Sequence, residues 1–103
     1  MDIQLKRGIL EVCVLAAIKN EESYGYKIIK DMKPWVEMTE STLYTILKRL
    51  ELSKMLTVRS SEHGGRLRKY YRITPSGKLK LALQIEEWKS FAQAVNDVLS
   101  EEV

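Results

Sequence analysis

The chain has 103 residues, of which 45% are hydrophobic and 30% charged, with a formal net charge of +3. These values are typical of one compact domain and exclude a wholly disordered chain. The longest apolar stretch, residues 12–18, is much shorter than a membrane span of ~20 residues, and the first residues lack a signal-peptide pattern. The single cysteine, Cys13, cannot form an internal disulfide, and its apolar surroundings predict burial. A cytoplasmic location is therefore expected.

The positive charge is concentrated in the middle of the chain. Residues 39–73 contain eight Lys or Arg and three acids, whereas residues 76–103 contain three Lys and five acids. A basic segment beside a mildly acidic one indicates a local site for a polyanion.

Helical periodicity predicts the first two elements. Apolar residues at helical spacing predict a largely buried helix over residues 5–19. Ser23 is the predicted N-cap of a second helix over residues 24–33, which Pro34 ends. Gly25, in the first turn of that helix, has two explanations that the sequence leaves open: close helix packing, or the approach of a ligand.

A third helix is predicted over residues 40–52, with Thr39 as its N-cap. Leu43, Ile46, Leu47 and Leu50 form a narrow apolar stripe along it. The opposite face is polar, so this helix is expected to bury one side and present the other to a partner or to solvent.

A basic hairpin and a long helix follow. Residues 55–59 and 66–74 predict two strands, and residues 60–65 have the composition of a turn. Thr74 and Pro75 predict the start of a last helix. Along that helix an apolar seam repeats at spacings of four and three, as in a coiled coil: Leu81, Ile85, Trp88, Ala92, Val95 and Leu99.

This order of elements predicts a mainly α fold with a two-stranded β-hairpin. It is the plan of a winged helix-turn-helix domain (residues 1–74) followed by a long C-terminal dimerisation helix (residues 75–103). In such a domain the third helix enters the major groove and the hairpin contacts the DNA beside it. The side chains predicted to contact DNA from these two elements are Ser41, Thr42, Tyr44, Thr45, Lys48, Arg49, His63, Arg66, Arg68 and Lys69.

Several alternatives remain open at this level. The polar face of the third helix is also typical of a solvated surface, and a winged helix also serves as a protein-interaction module. An enzyme is not expected, because the sequence offers no nucleophile or acid–base pair. With one His and one Cys, neither a metal site nor a cofactor is expected. A DNA-binding protein without an effector, or one that senses through Cys13, is a further alternative.

Three motifs resemble the PadR family of bacterial transcriptional regulators. They are Ser-Tyr-Gly-Tyr-Lys-Ile at residues 23–28, Ser-Thr-Leu-Tyr-Thr-Ile-Leu-Lys-Arg-Leu-Glu at 41–51 and Gly-Arg-Leu-Arg-Lys-Tyr-Tyr-Arg-Ile-Thr at 65–74. The resemblance implies a winged-helix repressor of the compact subgroup with a single C-terminal helix, often released from its operator by a small molecule. It adds Tyr24 and Lys27 to the predicted DNA-binding residues, and places Tyr70 near the DNA or in support of the hairpin.

A homodimer is predicted, because the seam of the last helix would otherwise expose a large apolar patch. An operator with two half-sites also needs two protomers related by two-fold symmetry. Multidrug-binding members of the resembled family carry a tryptophan in this part of the helix, where flat aromatic ligands stack. By that resemblance, a ligand pocket is predicted around Leu10, Val14, Trp88 and Ala92. The alternative, that Trp88 only fills the dimer core, stays open.

Overall fold

A computed structural model describes residues 3–101 of the chain, with the side chains of residues 7–101. Residues 1, 2, 102 and 103, which the predicted domain boundaries include, lie outside the described part. The elements are α1 (Ile3–Ala17), α2 (Gly25–Met32), α3 (Glu40–Leu52), β1 (Leu56–His63), β2 (Arg66–Ile73) and α4 (Pro75–Ser100). The strands form one antiparallel two-stranded sheet. This arrangement confirms the predicted fold class.

The core lies where α1 and α3 pack against each other. Val14 and Leu15 near the end of α1, and Ile18 directly after it, have no exposed surface. The apolar stripe predicted for α3 is buried along its whole length, from Leu43 to Leu50. Burial of such side chains is the main favourable term in folding, so it sets the rotation of α3 about its axis.

Two predicted helix caps are present. The Thr39 Oγ1 atom accepts a hydrogen bond of 3.1 Å from the backbone N–H of Thr42 at the start of α3. Thr74 Oγ1 accepts one of 2.9 Å from the N–H of Gly77, and Pro75 occupies the first position of α4. Both caps satisfy backbone donors that have no partner within the helix.

Ser23 does not cap α2, contrary to the prediction. The N-cap residue is Tyr24, and its side chain makes no capping hydrogen bond. Ser23 instead pairs with β2: its N–H donates to Tyr71 O at 3.0 Å, and its carbonyl accepts from Tyr71 N–H at 2.8 Å. Because Ser23 is buried, these paired backbone bonds satisfy groups that would be costly to leave without partners.

The hairpin turn is shorter than predicted. Its strands extend to His63 and from Arg66, so the turn consists of Gly64 and Gly65, with φ values of 58° and 80°. Two consecutive residues with positive φ are typical of a type I′ turn, which matches the twist of the strands. The polar composition of residues 60–63 indicated a loop, but exposed strands accept polar side chains on both faces.

α4 spans 26 residues, about 39 Å at 1.5 Å per residue. Near its start, Leu81 is 4% exposed and Ile85 packs against the same core. Further along the seam Leu99 is 75% exposed. The first part of the predicted seam therefore belongs to the core of its own chain, and only the later part is available to another molecule. None of the helices within residues 3–101 is long and apolar enough to cross a membrane.

Gly77, in the first turn of α4, has no room for a side chain. A Cβ atom there would lie 2.1 Å from the Met55 carbonyl oxygen, which accepts a hydrogen bond of 3.0 Å from the Thr74 N–H. Since this backbone atom cannot yield cheaply, we expect Gly77→Ala to lower the free energy of unfolding by about 2 kcal/mol, measured by urea denaturation.

Gly8→Ala is the matched control for this substitution. A Cβ atom on Gly8, in α1, would have no neighbour within 4 Å. Replacing a helical glycine with alanine then raises the free energy of unfolding by about 0.5–1 kcal/mol. Shifts of the same sign in the two variants would contradict the packing described for Gly77.

Candidate nucleic-acid interface

One face of α3 is exposed because the opposite face is buried. It presents the predicted residues Ser41, Thr42, Tyr44, Thr45, Lys48 and Arg49. The Thr42 hydroxyl accepts a hydrogen bond from Thr39 Oγ1 at 3.0 Å, and the Thr45 hydroxyl donates to the Ser41 carbonyl at 2.9 Å. These local bonds orient the two threonines and leave hydroxyl groups that can bond an added ligand.

Three of the predicted basic residues next to or on α3 are paired with acids. Arg49 Nε lies 3.0 Å from Glu11 Oε1, which joins α3 to α1. Lys27 Nζ lies 2.9 Å from Asp31 Oδ2, and this hydrogen bond raises the pKa of Lys27. Lys48 Nζ lies 3.6 Å from Glu51 Oε1 on an exposed surface. Exposed ion pairs are weak, so Lys48 can exchange its partner for a phosphate.

We call β1, β2 and their turn the wing, and its end, with His63, Arg66 and Lys69 around the two glycines, the wing tip. All three side chains are exposed. The salt bridges between described side chains involve none of them. The wing tip is thus a cluster of uncompensated cationic and hydrogen-bonding groups on a backbone that the glycines leave accessible.

The wing tip and α3 border the same groove. This groove has a volume of about 700 Å³ and is lined by Tyr26 and Tyr44 on one side and by His63, Arg66 and Lys69 on the other. Predicted residues from two distant parts of the sequence therefore face one space. Aromatic rims with several cations are typical of surfaces that bind a sugar–phosphate backbone.

Gly25 lies against Tyr44. A Cβ atom on Gly25 would lie 2.6 Å from the Tyr44 hydroxyl oxygen and 3.1 Å from its ring. Of the two explanations open for this glycine, the structure therefore supports close packing, since α2 approaches the ring of a residue on the exposed face of α3. Tyr44 stays 47% exposed, so the contact orients its ring without burying it.

Five side chains, which we call the stacked row, connect the wing to the residues before α2: Glu22, Tyr24, Arg59, Tyr70 and Arg68. The Arg59 guanidinium donates two hydrogen bonds to the Glu22 carboxylate, one of them from Nε at 3.0 Å, and lies 4.5 Å from the Tyr70 ring centroid. The Tyr70 ring meets the Tyr24 ring edge-on at 5.8 Å, and the Arg68 guanidinium lies 4.1 Å from the Tyr24 ring centroid.

The stacked row was only partly foreseen. Tyr24 and Arg68 were predicted to contact DNA, and the structure places them on each other at the border of the groove. Glu22 and Arg59 were missed. The alternation of Arg and Tyr along β2 was a usable signal, because such residues pair across strands. Hydrogen bonds from Arg59 lower the pKa of Glu22, so this carboxylate is charged at neutral pH.

The predicted ligand pocket needs correction. Trp88 borders a hollow of about 420 Å³ with Phe91 from α4 and with Ile9, Val12 and Cys13 from α1. Val14 is fully buried in the core, and Leu10 borders a different hollow beside Thr39. Ala92 does not line the Trp88 hollow. Because a helix turns by ~100° per residue, residues 10 and 14 point away from the side of α1 that carries residues 9, 12 and 13.

Cys13 is half-buried rather than fully buried. It borders the hollow next to Trp88, and partial burial raises the pKa of its thiol. A raised pKa lowers the thiolate fraction and with it the reactivity of the cysteine. Within residues 3–101 no group of three or more His, Cys, Asp or Glu side chains is arranged to hold a metal ion.

Comparison with known proteins identifies the family. Residues 14–83 match the transcriptional regulator PadR-like family. The chain belongs to this family. Its members are transcriptional regulators rather than enzymes, and the resemblance of the three motifs is confirmed.

Solved structures of PadR-like proteins share the fold. A PadR family regulator from Eggerthella lenta is 29% identical, with a TM-score of 0.87 over 97% of this chain and 89% of that one. A PadR-like transcription factor from Bacteroides fragilis is 32% identical, with a TM-score of 0.82 over 92% and 94% of the two chains.

A structure of Bacillus subtilis PadR contains operator DNA. It is 27% identical to this chain, with a TM-score of 0.70, and the match covers 75% of this chain and 45% of that protein.

Proposed function

We propose that this PadR-like protein is a homodimeric repressor that binds a specific operator in double-stranded DNA. The observation that carries the proposal is the groove that Tyr44, on the exposed face of α3, borders together with His63, Arg66 and Lys69 of the wing tip. The Bacillus subtilis relative bound to operator DNA supports the same use of the fold. Such a regulator acts in the cytoplasm, where bacterial chromosomal DNA lies.

The exposed face of α3 and the wing tip have different roles in the proposal. An α-helix fits the major groove, where base edges are distinguishable, so Ser41 and Thr45 on that face are proposed to read sequence, while Lys48 binds a phosphate. Arg66 and Lys69 on the wing tip neutralise phosphates and set the register of the protein on the duplex. Arg49, paired with Glu11 of α1, and Arg68, stacked on Tyr24, hold α3 and the wing in place, whereas the Lys27–Asp31 pair lies within α2.

The later part of the α4 seam supports the homodimer. Beyond Ile85 the seam residues Trp88 and Leu99 are exposed, and beside them α4 carries two further large exposed apolar side chains, Phe91 and Val98. An apolar surface of this extent marks an interface. A second copy is the occupant that also matches a two-fold operator, because it places two α3 helices about one DNA turn apart.

Binding to DNA from the upstream region of the protein's own gene tests the DNA-binding proposal. We expect binding that exceeds that to a shuffled duplex of equal composition and weakens steeply with salt, because counterions are released at each phosphate contact. Tyr44→Ala and Lys48→Ala should each weaken it about tenfold, a change of about 1.4 kcal/mol, measured by fluorescence anisotropy. Both variants should remain dimers.

Lys89→Ala is the control, because Lys89 is an exposed lysine of α4 and its loss removes the same charge away from the groove. Affinity equal to wild type in the Tyr44 and Lys48 variants would show that α3 is not the reading element. Equal affinity for operator and shuffled DNA would favour the protein-interaction module.

The dimer is tested by placing a charge on the exposed part of the seam. Leu99→Asp should convert the dimer into monomers at micromolar concentration, because an unpaired carboxylate in an apolar interface is costly. Analytical ultracentrifugation measures the change. Leu79→Asp is the matched control, since Leu79 lies on α4 with a similar exposure but off the seam. If the Leu99→Asp variant stays dimeric, the dimer interface does not lie on the later part of the α4 seam.

We also propose that a small aromatic effector binds in the hollow beside Trp88 and releases the protein from its operator. Trp88 and Phe91 from α4, with Ile9 and Val12 from α1, provide apolar and aromatic walls. Sites for small molecules typically combine such walls with a few polar groups, here Gln84 and Glu87. The hollow lies next to the proposed dimer interface, so a second copy would close it further.

Riboflavin is a suitable planar probe of this hollow. The chain has two tryptophans, so Trp35→Phe leaves Trp88 as the only one, and its fluorescence should be quenched saturably by riboflavin. In the reciprocal Trp88→Phe variant the fluorescence of the exposed Trp35 should change only through collisions, in proportion to riboflavin concentration. Identical, non-saturating quenching in both variants would refute binding at Trp88.

A further inference from the structure

We propose that Glu22 is a positioning residue for DNA binding, which holds the wing at the angle where its tip meets the duplex. The proposal rests on the DNA-binding function argued above and adds to it a residue that makes no contact with DNA itself. The stacked row carries the inference, because its contacts join the wing to the residues immediately before α2.

The backbone places Glu22 at the edge of the wing. Ser23 pairs with Tyr71 in a single antiparallel bridge, which places Glu22 beside Arg72 and Tyr24 beside Tyr70. Because side chains alternate between the two faces of extended backbone, Glu22 and Tyr24 lie on the same face of the wing as Tyr70 and Arg72.

The side chains on that face form continuous contacts from residues 22–24 to both strands of the wing. Glu22 binds Arg59 on β1, and its Oε2 atom lies 3.9 Å from Arg72 Nε on β2. Arg59 in turn covers the Tyr70 ring, which contacts Tyr24. The base of the wing is held in the core by Leu56, Tyr71 and Ile73. A two-stranded hairpin is weak by itself, so the part beyond this base depends on the contacts of its exposed face.

Glu22 is the only acid in the stacked row, and it contacts two arginines, Arg59 and Arg72. Its carboxylate fixes the Arg59 guanidinium in a two-bond geometry that a neutral or shorter side chain does not reproduce. Without the Glu22 carboxylate, Arg59 can leave the Tyr70 ring. The remaining contacts of the stacked row are then no longer fixed to the residues before α2.

A positioning role and a simple charge effect predict opposite changes in DNA affinity when Glu22 is replaced by a neutral residue. Eliminating a carboxylate beside a DNA-binding surface raises the positive potential and strengthens binding to a polyanion. A positioning role predicts weaker binding, because the wing tip then spends less time at the angle where Arg66 and Lys69 reach phosphates. The sign of the change therefore distinguishes the two effects.

The test compares Glu22→Gln with wild type in anisotropy titrations of operator DNA across salt concentrations. We expect affinity about fivefold weaker, in the range of coupled neighbouring residues, and a salt dependence reduced by about one phosphate contact. A purely structural effect, in which part of the protein unfolds, would lower affinity without changing the salt dependence. Glu21→Gln is the matched control, because Glu21 is a neighbouring exposed acid outside the row and should bind as wild type or tighter.

A double-mutant cycle with Arg66→Ala locates the effect in the wing. Once the wing tip has lost Arg66, Glu22→Gln should weaken binding much less than it does in wild type, because the contact it positions is already gone. Unchanged or tighter DNA binding by Glu22→Gln overturns the inference. The inference is also overturned if the double variant loses as much affinity as the two single variants lose together. If the wild-type protein itself does not prefer operator DNA to shuffled DNA, the proposed function is refuted independently of the role of Glu22.

Discussion

Burial of the narrow stripe on α3 is the constraint on which the interface depends. Leu43, Ile46, Leu47 and Leu50 are all buried, and each contributes roughly 1.5–3 kcal/mol. A helix with a single apolar stripe has one favourable rotation about its axis, so Tyr44 and Lys48 are exposed as a direct consequence of the core. Rotating α3 about its axis to present another face would expose the leucines of the stripe to water. The orientation of the proposed reading face is therefore as stable as the core itself.

The second half of the interface depends on a short segment as well as on the core, which holds only the base of the wing through Leu56 and Ile73. Residues 22–25 contact both the wing and α3: Glu22 binds Arg59, Ser23 pairs with Tyr71, and Gly25 lies against Tyr44. These four consecutive residues thus link the wing to the exposed face of α3. Because the contacts at Glu22 are polar and exposed while those at Gly25 are steric, the wing is more easily displaced than α3.

Local signals in the sequence predicted the elements well, and long-range contacts were the source of the errors. Thr39 and the α3 stripe predicted the bounds of that helix because a cap and a periodic face act within one element. Ser23 was misassigned since its partner, Tyr71, lies far away in sequence. Leu10 and Val14 do not border the hollow beside Trp88, because periodicity shows which residues share a face, but not which neighbour that face meets. The stacked row likewise depends on contacts that only the fold creates.

The seam of α4 connects the proposed dimer interface to the interior of each chain. It begins inside the core at Leu81 and continues along the same uninterrupted helix to the exposed Leu99. The hollow beside Trp88 lies at the transition, against Val12 of α1, and the preceding residue, Glu11, is paired with Arg49 on α3. A ligand in the hollow thus contacts α1, the helix that is paired with α3.

Contact alone does not couple the ligand site to the DNA-binding site. A ligand changes operator affinity only if it binds two arrangements of the dimer with unequal affinity. The rigidity of α4 favours a change in the angle between the two chains, because packed helices move as bodies more readily than they deform.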